Sequence, residues 1–105
     1  MGVQEFMQKS GIPNKLKGYE FIKCAIQIKL NDPNLNMSQI KEKVGAEYGC
    51  CNGTVENTMK WAIQHRFEHM DVRLRNTLFD YCKDVAPTTK EYIEGVAYAI
   101  RNNII

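Results

Sequence analysis

Residues 36–70 read NMSQIKEKVGAEYGCCNGTVENTMKWAIQHRFEHM, and the fold turns on how this stretch divides. In its first part Met37, Ile40, Val44 and Tyr48 recur at spacings of three and four, one face of a helix. Gly49 follows, where a glycine in the left-handed conformation ends the turn. After Cys50 and Cys51, the apolar positions Val55, Met59, Ala62, Ile63 and Met70 line one side of a second, longer helix. Asn52 is chemically its best N-cap. Gly45, one residue past Val44, leaves room for the second helix to approach the first. A helix, a tight glycine turn and a second helix with a polar outer face form the outline of a helix-turn-helix.

Upstream, Asn36 with Gln39 three residues on forms a capping box that starts the first of these helices. Asn31-Asp32-Pro33 ends the helix before it, because a residue preceding proline is pushed out of the α region. That helix opens at Pro13, an ordinary first helical residue. Its core stripe is Leu16, Tyr19, Ile22, Ile26 and Leu30, and Phe21, Ala25 and Ile28 add a second one, so more than one side is covered. Gly18 inside it costs about 1 kcal/mol relative to alanine, which predicts close approach of another backbone. Residues 1–10 carry no sustained period.

Downstream, Asp71 caps a short helix carrying Val72, Leu74, Leu78 and Phe79 or Tyr81. A loop from Lys83 to Pro87 leads to the capping box Thr88–Glu91, and Ile93, Val96, Ala97, Ile100 and Ile104 form the last apolar face. No segment alternates with period two for long enough to be a strand. The expected fold is all-α, a compact bundle of five to six helices containing a helix-turn-helix, with residues 1–11 as a leader or linker and 12–105 as the domain.

A chain of 105 residues that is 44% apolar supports one modest core. Its net charge of +2 does not make it a polycation that coats nucleic acid indiscriminately. No run of 18 apolar residues offers a membrane span, and the start, Met-Gly-Val-Gln-Glu-Phe, is not a secretory signal. A cytoplasmic protein without membrane contact is expected. Its cysteines, Cys24, Cys50, Cys51 and Cys82, lack C-x-x-C spacing, so they are expected reduced, with Cys24 and Cys82 buried as small hydrophobes. His65 and His69 stand four apart, but the glutamate of His-Arg-Phe-Glu-His is not where a zincin needs it, and both read as surface histidines. No phosphate loop, nucleophile motif or spaced carboxylate pair stands out. Neither an enzyme nor a metal or cofactor is expected.

The chain resembles the C-terminal effector domain of the sporulation initiation factor family (stage-zero sporulation protein A), response regulators of spore-forming bacteria. The likeness runs from about Gly11 to Arg101. It is carried by Ile12-Pro13, Lys17-Gly18-Tyr19, Ala25-Ile26 and Asn31-Asp32, then by Val55-Glu56, Ala62-Ile63, Leu78-Phe79-x-Tyr81 and Pro87-Thr88 with Glu91. The resemblance implies an all-helical DNA-binding domain that activates or represses transcription. Its implied partners are double-stranded DNA at tandem promoter sites, an RNA polymerase sigma factor and a second copy as a homodimer on those sites. In the family this domain follows a phosphorylated receiver domain, which the sequence does not include.

The departures fall where the family reads DNA. The family carries arginines at the positions of Thr54, Asn57 and Lys60 and a histidine at Trp61; only Glu56 is kept. Cys50, Cys51 and Gly53 replace small hydroxyl residues or alanine, and Arg66 and Met70 stand where the family prefers a small residue. The segment from Asp32 to Tyr48 is about one helical turn shorter, and the loop before Pro87 is shorter too.

On a helical wheel, Gly53, Thr54, Lys60, Trp61, Gln64 and Glu68 fall within about 60° of Asn57, opposite the apolar set. A recognition helix over about 52–68 would therefore present Thr54, Asn57, Lys60, Trp61 and Gln64 to the major groove. Asparagine or glutamine bonds bidentately to adenine, threonine contacts the thymine methyl, and lysine reaches guanine or a phosphate, a set that favours A·T-rich sequence. Glu56 can accept from cytosine N4 or sit solvated at the positive end of the helix.

Charge opposes strong binding, since Lys60 and Arg66 are balanced by Glu56 and Glu68 and phosphate neutralisation supplies most non-specific affinity. Compensation would come from Lys15, Lys17, Lys23 and Lys29, or from Arg73 and Arg75. Arg66 falls on the apolar side and either snorkels or marks a bend. Trp61 either folds against a neighbour as partial core or stays exposed to meet sugar, base or a protein. A DNA-binding transcription regulator is the leading reading. A protein-interaction module of the same fold, binding a sigma factor, another regulator or itself, is the alternative.

Overall fold

The computed structural model describes residues 1–82 and 85–105. These form α1 (Val3–Lys9), α2 (Lys17–Asn31), α3 (Met37–Tyr48), α4 (Asn52–Arg66), a 3-10 turn (Phe67–His69), α5 (Val72–Phe79) and α6 (Thr89–Arg101). Among the described residues there is no strand, and the fold is the expected all-α bundle.

The centre is α2, which touches α1, α3, α4 and α6. Its two predicted stripes explain why: Tyr19, Ile22 and Ile26 on one and Phe21 and Ala25 on the other are all buried. Fully burying a side chain of isoleucine size contributes about 1.5–3 kcal/mol. With two buried stripes, α2 becomes the element on which the others assemble. It ends at Asp32, before Pro33. Arg101 closes its end, donating from Nη2 to the Lys29 and Leu30 carbonyls at 2.7 and 2.9 Å.

Three expectations about where helices start are corrected. Within residues 1–11, expected as a leader or linker, Val3–Lys9 form a helix: α1 buries Phe6 and Met7, and two helical turns are simply too short to show a sustained period. The second helix opens at Lys17 instead of Pro13, because residues 13–16 make a separate turn in which the Leu16 N–H donates to the Pro13 carbonyl at 3.1 Å. Asn52 lies inside α4, whose N-cap is Cys51.

The capping boxes at Asn36–Gln39 and Thr88–Glu91 are both closed, and the Asp71 carboxylate accepts from the Leu74 N–H at 3.0 Å. The apolar faces are narrower than predicted. Tyr48 and Val72 are exposed, and Ile104 lies beyond α6 and is exposed. Cys24 and Cys82 are free and only partly buried. Of the predicted Lys83–Pro87 loop, Lys83 and Asp84 lie outside the described residues. No helix among the described residues is long and apolar enough to cross a membrane.

Candidate nucleic-acid interface

The turn between α3 and α4 is set by two glycines. Gly49 takes φ +70°, the left-handed C-terminal position, and the Cys50 N–H returns to the Gly45 carbonyl at 2.9 Å. A Cβ on Gly45 would collide with the Cys50 carbonyl and lie 3.6 Å from Val55 Cγ2, so its absence lets the turn close as well as the helices. Cys51 Sγ and Thr54 Oγ1 share a hydrogen bond at 3.3 Å over the first turn of α4. That bond, with the Thr54 and Gly53 N–H groups, holds the Cys51 thiol below its ordinary pKa. Burial pushes the Cys24 thiol up, with Glu47 and Glu20 adding to the rise.

From there α4 divides as the wheel predicts. Val55, Met59, Ala62 and Ile63 are buried, while Thr54, Asn57, Lys60, Trp61 and Gln64 are exposed. Trp61 is 52% exposed, which decides between its two readings in favour of the surface. Glu56 stands apart from the other five. It is half-buried, and its Oε1 lies 3.6 Å from Lys41 Nζ of α3, so its carboxylate braces the two helices of the motif. Its Oε2 is buried without a hydrogen-bond partner among the described residues.

The regular helix stops at Arg66, two residues short of the expected end, and passes into the 3-10 turn that carries Glu68. Arg66 marks the bend, with its Nε donating to the Gly11 carbonyl at 2.9 Å. The sequence placed His65 on the surface without assigning it a role. It stands exposed one turn beyond Trp61, its ring stacked on the indole at 4.4 Å between centroids and 19° between planes. Its Nδ1 is 2.9 Å from the Trp61 carbonyl oxygen. The i, i+4 spacing of an aromatic residue and a histidine is the signal that could have found this pair.

The compensating charges also sort out. Lys17, at the start of α2, borders a surface cavity together with Asn57 and Trp61. Arg75 of α5 borders another with Gln64 and donates to the Glu68 carbonyl at 3.1 Å. Lys29 is turned to other work, donating to the Leu35 carbonyl at 2.8 Å and facing Glu94 at 3.7 Å. Arg73 lies beside the chain ends, in a cavity with Met1 and Ile105. Among the described residues no group of three histidine, cysteine or acidic side chains could hold a metal ion.

Two helices joined by a tight glycine turn, the second apolar inward and polar outward, define a helix-turn-helix domain. A family model described as "Sporulation initiation factor Spo0A C terminal" matches residues 3–100 of the 105-residue chain. The chain belongs to that family, the DNA-binding effector domains of sporulation response regulators. It is a family of regulatory domains, not a class of enzymes.

Proposed function

We propose that this domain recognises specific sequences in duplex DNA by laying α4 in the major groove. Thr54, Asn57, Lys60 and Gln64 meet base edges and Trp61 flanks the contact. The observation that carries this reading is the division of α4: these five side chains are exposed while Val55, Met59 and Ile63 pin the opposite flank inside the core. Amide and hydroxyl groups suit adenine and the thymine methyl, so the preferred sites are richer in A·T than arginines would select. Glu56, held by Lys41, fixes the pitch of α4 against α3 more than it reads a base. Family membership supports a DNA-binding regulatory role; promoter sites in the cytoplasm, a sigma factor as protein partner and a second copy on tandem sites are what the resemblance adds to this reading.

Fluorescence anisotropy at low salt tests the reading. Asn57→Ala and Lys60→Ala are each expected to weaken binding to a selected site, by about 1–3 kcal/mol where a bidentate contact is lost. Binding without sequence discrimination, unchanged in both variants, would reject it. The exposed Trp61 favours one alternative, a protein-binding surface on the same face. Capture of a sigma factor or self-association with DNA binding undetectable would select that alternative.

A further inference from the structure

The crossing of α2 over α4 is unusually close. A Cβ on Gly18 would lie 2.5 Å from Ala62 Cβ and 3.2 Å from the Thr58 carbonyl oxygen. The helices therefore meet almost backbone to backbone, which brings the first turn of α2 alongside the outer face of α4. At the crossing a cavity of about 330 Å³ opens between Leu16 and Lys17 on one side and Asn57 and Trp61 on the other. One wall is the exposed indole; the other carries the exposed Lys17 side chain, which has no ion pair among the described residues. Gly18 and Ala62 give it an apolar floor, with Thr58 and Asn57 beside them on the α4 side.

An aromatic wall facing an ammonium group over an apolar floor matches one sugar–phosphate unit. The carbon face of a deoxyribose packs on an indole, and the phosphate that follows takes the cation. An apolar protein side chain would use the indole but leave Lys17 without a counter-charge. We propose that this cavity seats the backbone of the DNA strand bordering the groove that α4 enters, Lys17 holding a phosphate and Trp61 covering the adjoining sugar. The assignment rests on the DNA reading above and adds to it a fixed point for the register of α4. It also explains how a recognition helix whose own cations are offset by Glu56 and by Glu68 of the turn that follows is held on a polyanion: further charge is supplied by a neighbouring helix.

The test is the salt dependence of binding to two duplexes, a selected site and a scrambled one of equal length, between about 50 and 200 mM salt. Lys17→Gln is expected to weaken both by the same factor and to lower the slope of log K against log salt by about 0.9, one phosphate contact. Lys9→Gln makes the same charge change at a cavity formed with Met1 and Ile105 and is expected to leave the slope unchanged. Trp61→Ala is expected to weaken both duplexes equally at unaltered slope. Lys17 and Trp61 are exposed, so circular dichroism should show the fold intact. A slope untouched by Lys17→Gln overturns the proposal. So does a loss confined to the selected duplex, which would make Lys17 a base contact. A DNA-independent dimer abolished by Trp61→Ala, with DNA affinity intact, would give the cavity to a second copy instead. If the wild-type chain binds neither duplex at the lowest salt, the reading of α4 itself falls, and this seat with it.

Discussion

Replacing Tyr92 by phenylalanine should make this protein more stable. Tyr92 is 1% exposed; its ring stacks on Phe79 with centroids 5.4 Å apart and meets Phe6 edge-on at 5.9 Å. Its hydroxyl is buried and has no hydrogen-bond partner among the described residues. A buried polar group left without a partner forfeits its hydration at about 1–3 kcal/mol. Tyr92→Phe removes that group and keeps both ring contacts, at the loss of only a few dispersion contacts made by one oxygen. The expected gain is about 1–2 kcal/mol, and each kcal/mol raises Tm by roughly 4–8 °C in a domain of this size. Urea titration would show it as a higher midpoint at unchanged m. Burial pushes the Tyr92 phenol far above its ordinary range, which adds a second readout with a definite sign. The folded-state pKa exceeds the unfolded one, so the wild-type contribution is full below about pH 10 and lost as pH rises beyond it. The wild-type protein should therefore lose stability above about pH 10 more steeply than the variant, with one tyrosine ionising only on unfolding. A variant less stable by about 1 kcal/mol or more would refute this reasoning, because it would mean the hydroxyl is well bonded.

Three other perturbations probe the motif. Gly18→Ala places a methyl 2.5 Å from Ala62 Cβ; overpacking of about 1–3 kcal/mol should outweigh the helix-propensity gain of about 1 kcal/mol, and an undiminished urea midpoint would show that the crossing yields easily. Thr54→Arg with Asn57→Arg should tighten DNA binding, steepen its salt dependence and move preference toward guanine, measured by competition between A·T-rich and G·C-rich duplexes. A double-mutant cycle on Lys41 and Glu56, 3.6 Å apart and partly exposed, should give a coupling of about 0.3–1 kcal/mol in urea; zero coupling would return Glu56 to the DNA-facing set.

What could be seen in the sequence was whatever depends on residues close along the chain. The capping boxes at Asn36 and Thr88, the left-handed Gly49 and the middle of the two α2 stripes each follow from a pattern within a turn or two and stand in the structure. Leu16, Ile28 and Leu30 at the stripe ends are only partly buried. The start of α4 was missed because Asn52 has the better capping chemistry, yet the turn closed by Gly45 and Gly49 places Cys51 at the cap. The helical identity of residues 3–9 was missed because α1 holds two buried side chains, too few to establish a period. On the site, the wheel gave the outward set, but not that Glu56 turns to Lys41, that His65 stacks on Trp61, or which lysine of α2 stands near Asn57. The first and the last depend on how α2, α3 and α4 cross, which is not written in any one helix; the stack lies within α4, where the i, i+4 spacing was its signal.

The same separation explains how the family's fold and a changed DNA face coexist in one chain. The contacts that fix α4 are made by Val55, Met59, Ala62 and Ile63 from inside and by Gly18 and Gly45 across the crossing and the turn. None of them is among the outward residues Thr54, Asn57, Lys60, Trp61 and Gln64. Changing the outward set alters hydrogen bonding and charge at the groove without removing core volume, so large changes in site preference carry little stability penalty. The constraint that does link the two is electrostatic. The resemblance implies arginines where this chain has Thr54, Asn57 and Lys60, so on the proposed reading its hold on DNA would depend on cations that the fold brings alongside. Lys17 sits at the crossing made possible by Gly18, and Arg75 sits beyond the bend at Arg66. A residue that adjusts helix approach, such as Gly18, is on this view also a determinant of DNA affinity, although it has no side chain with which to read a base.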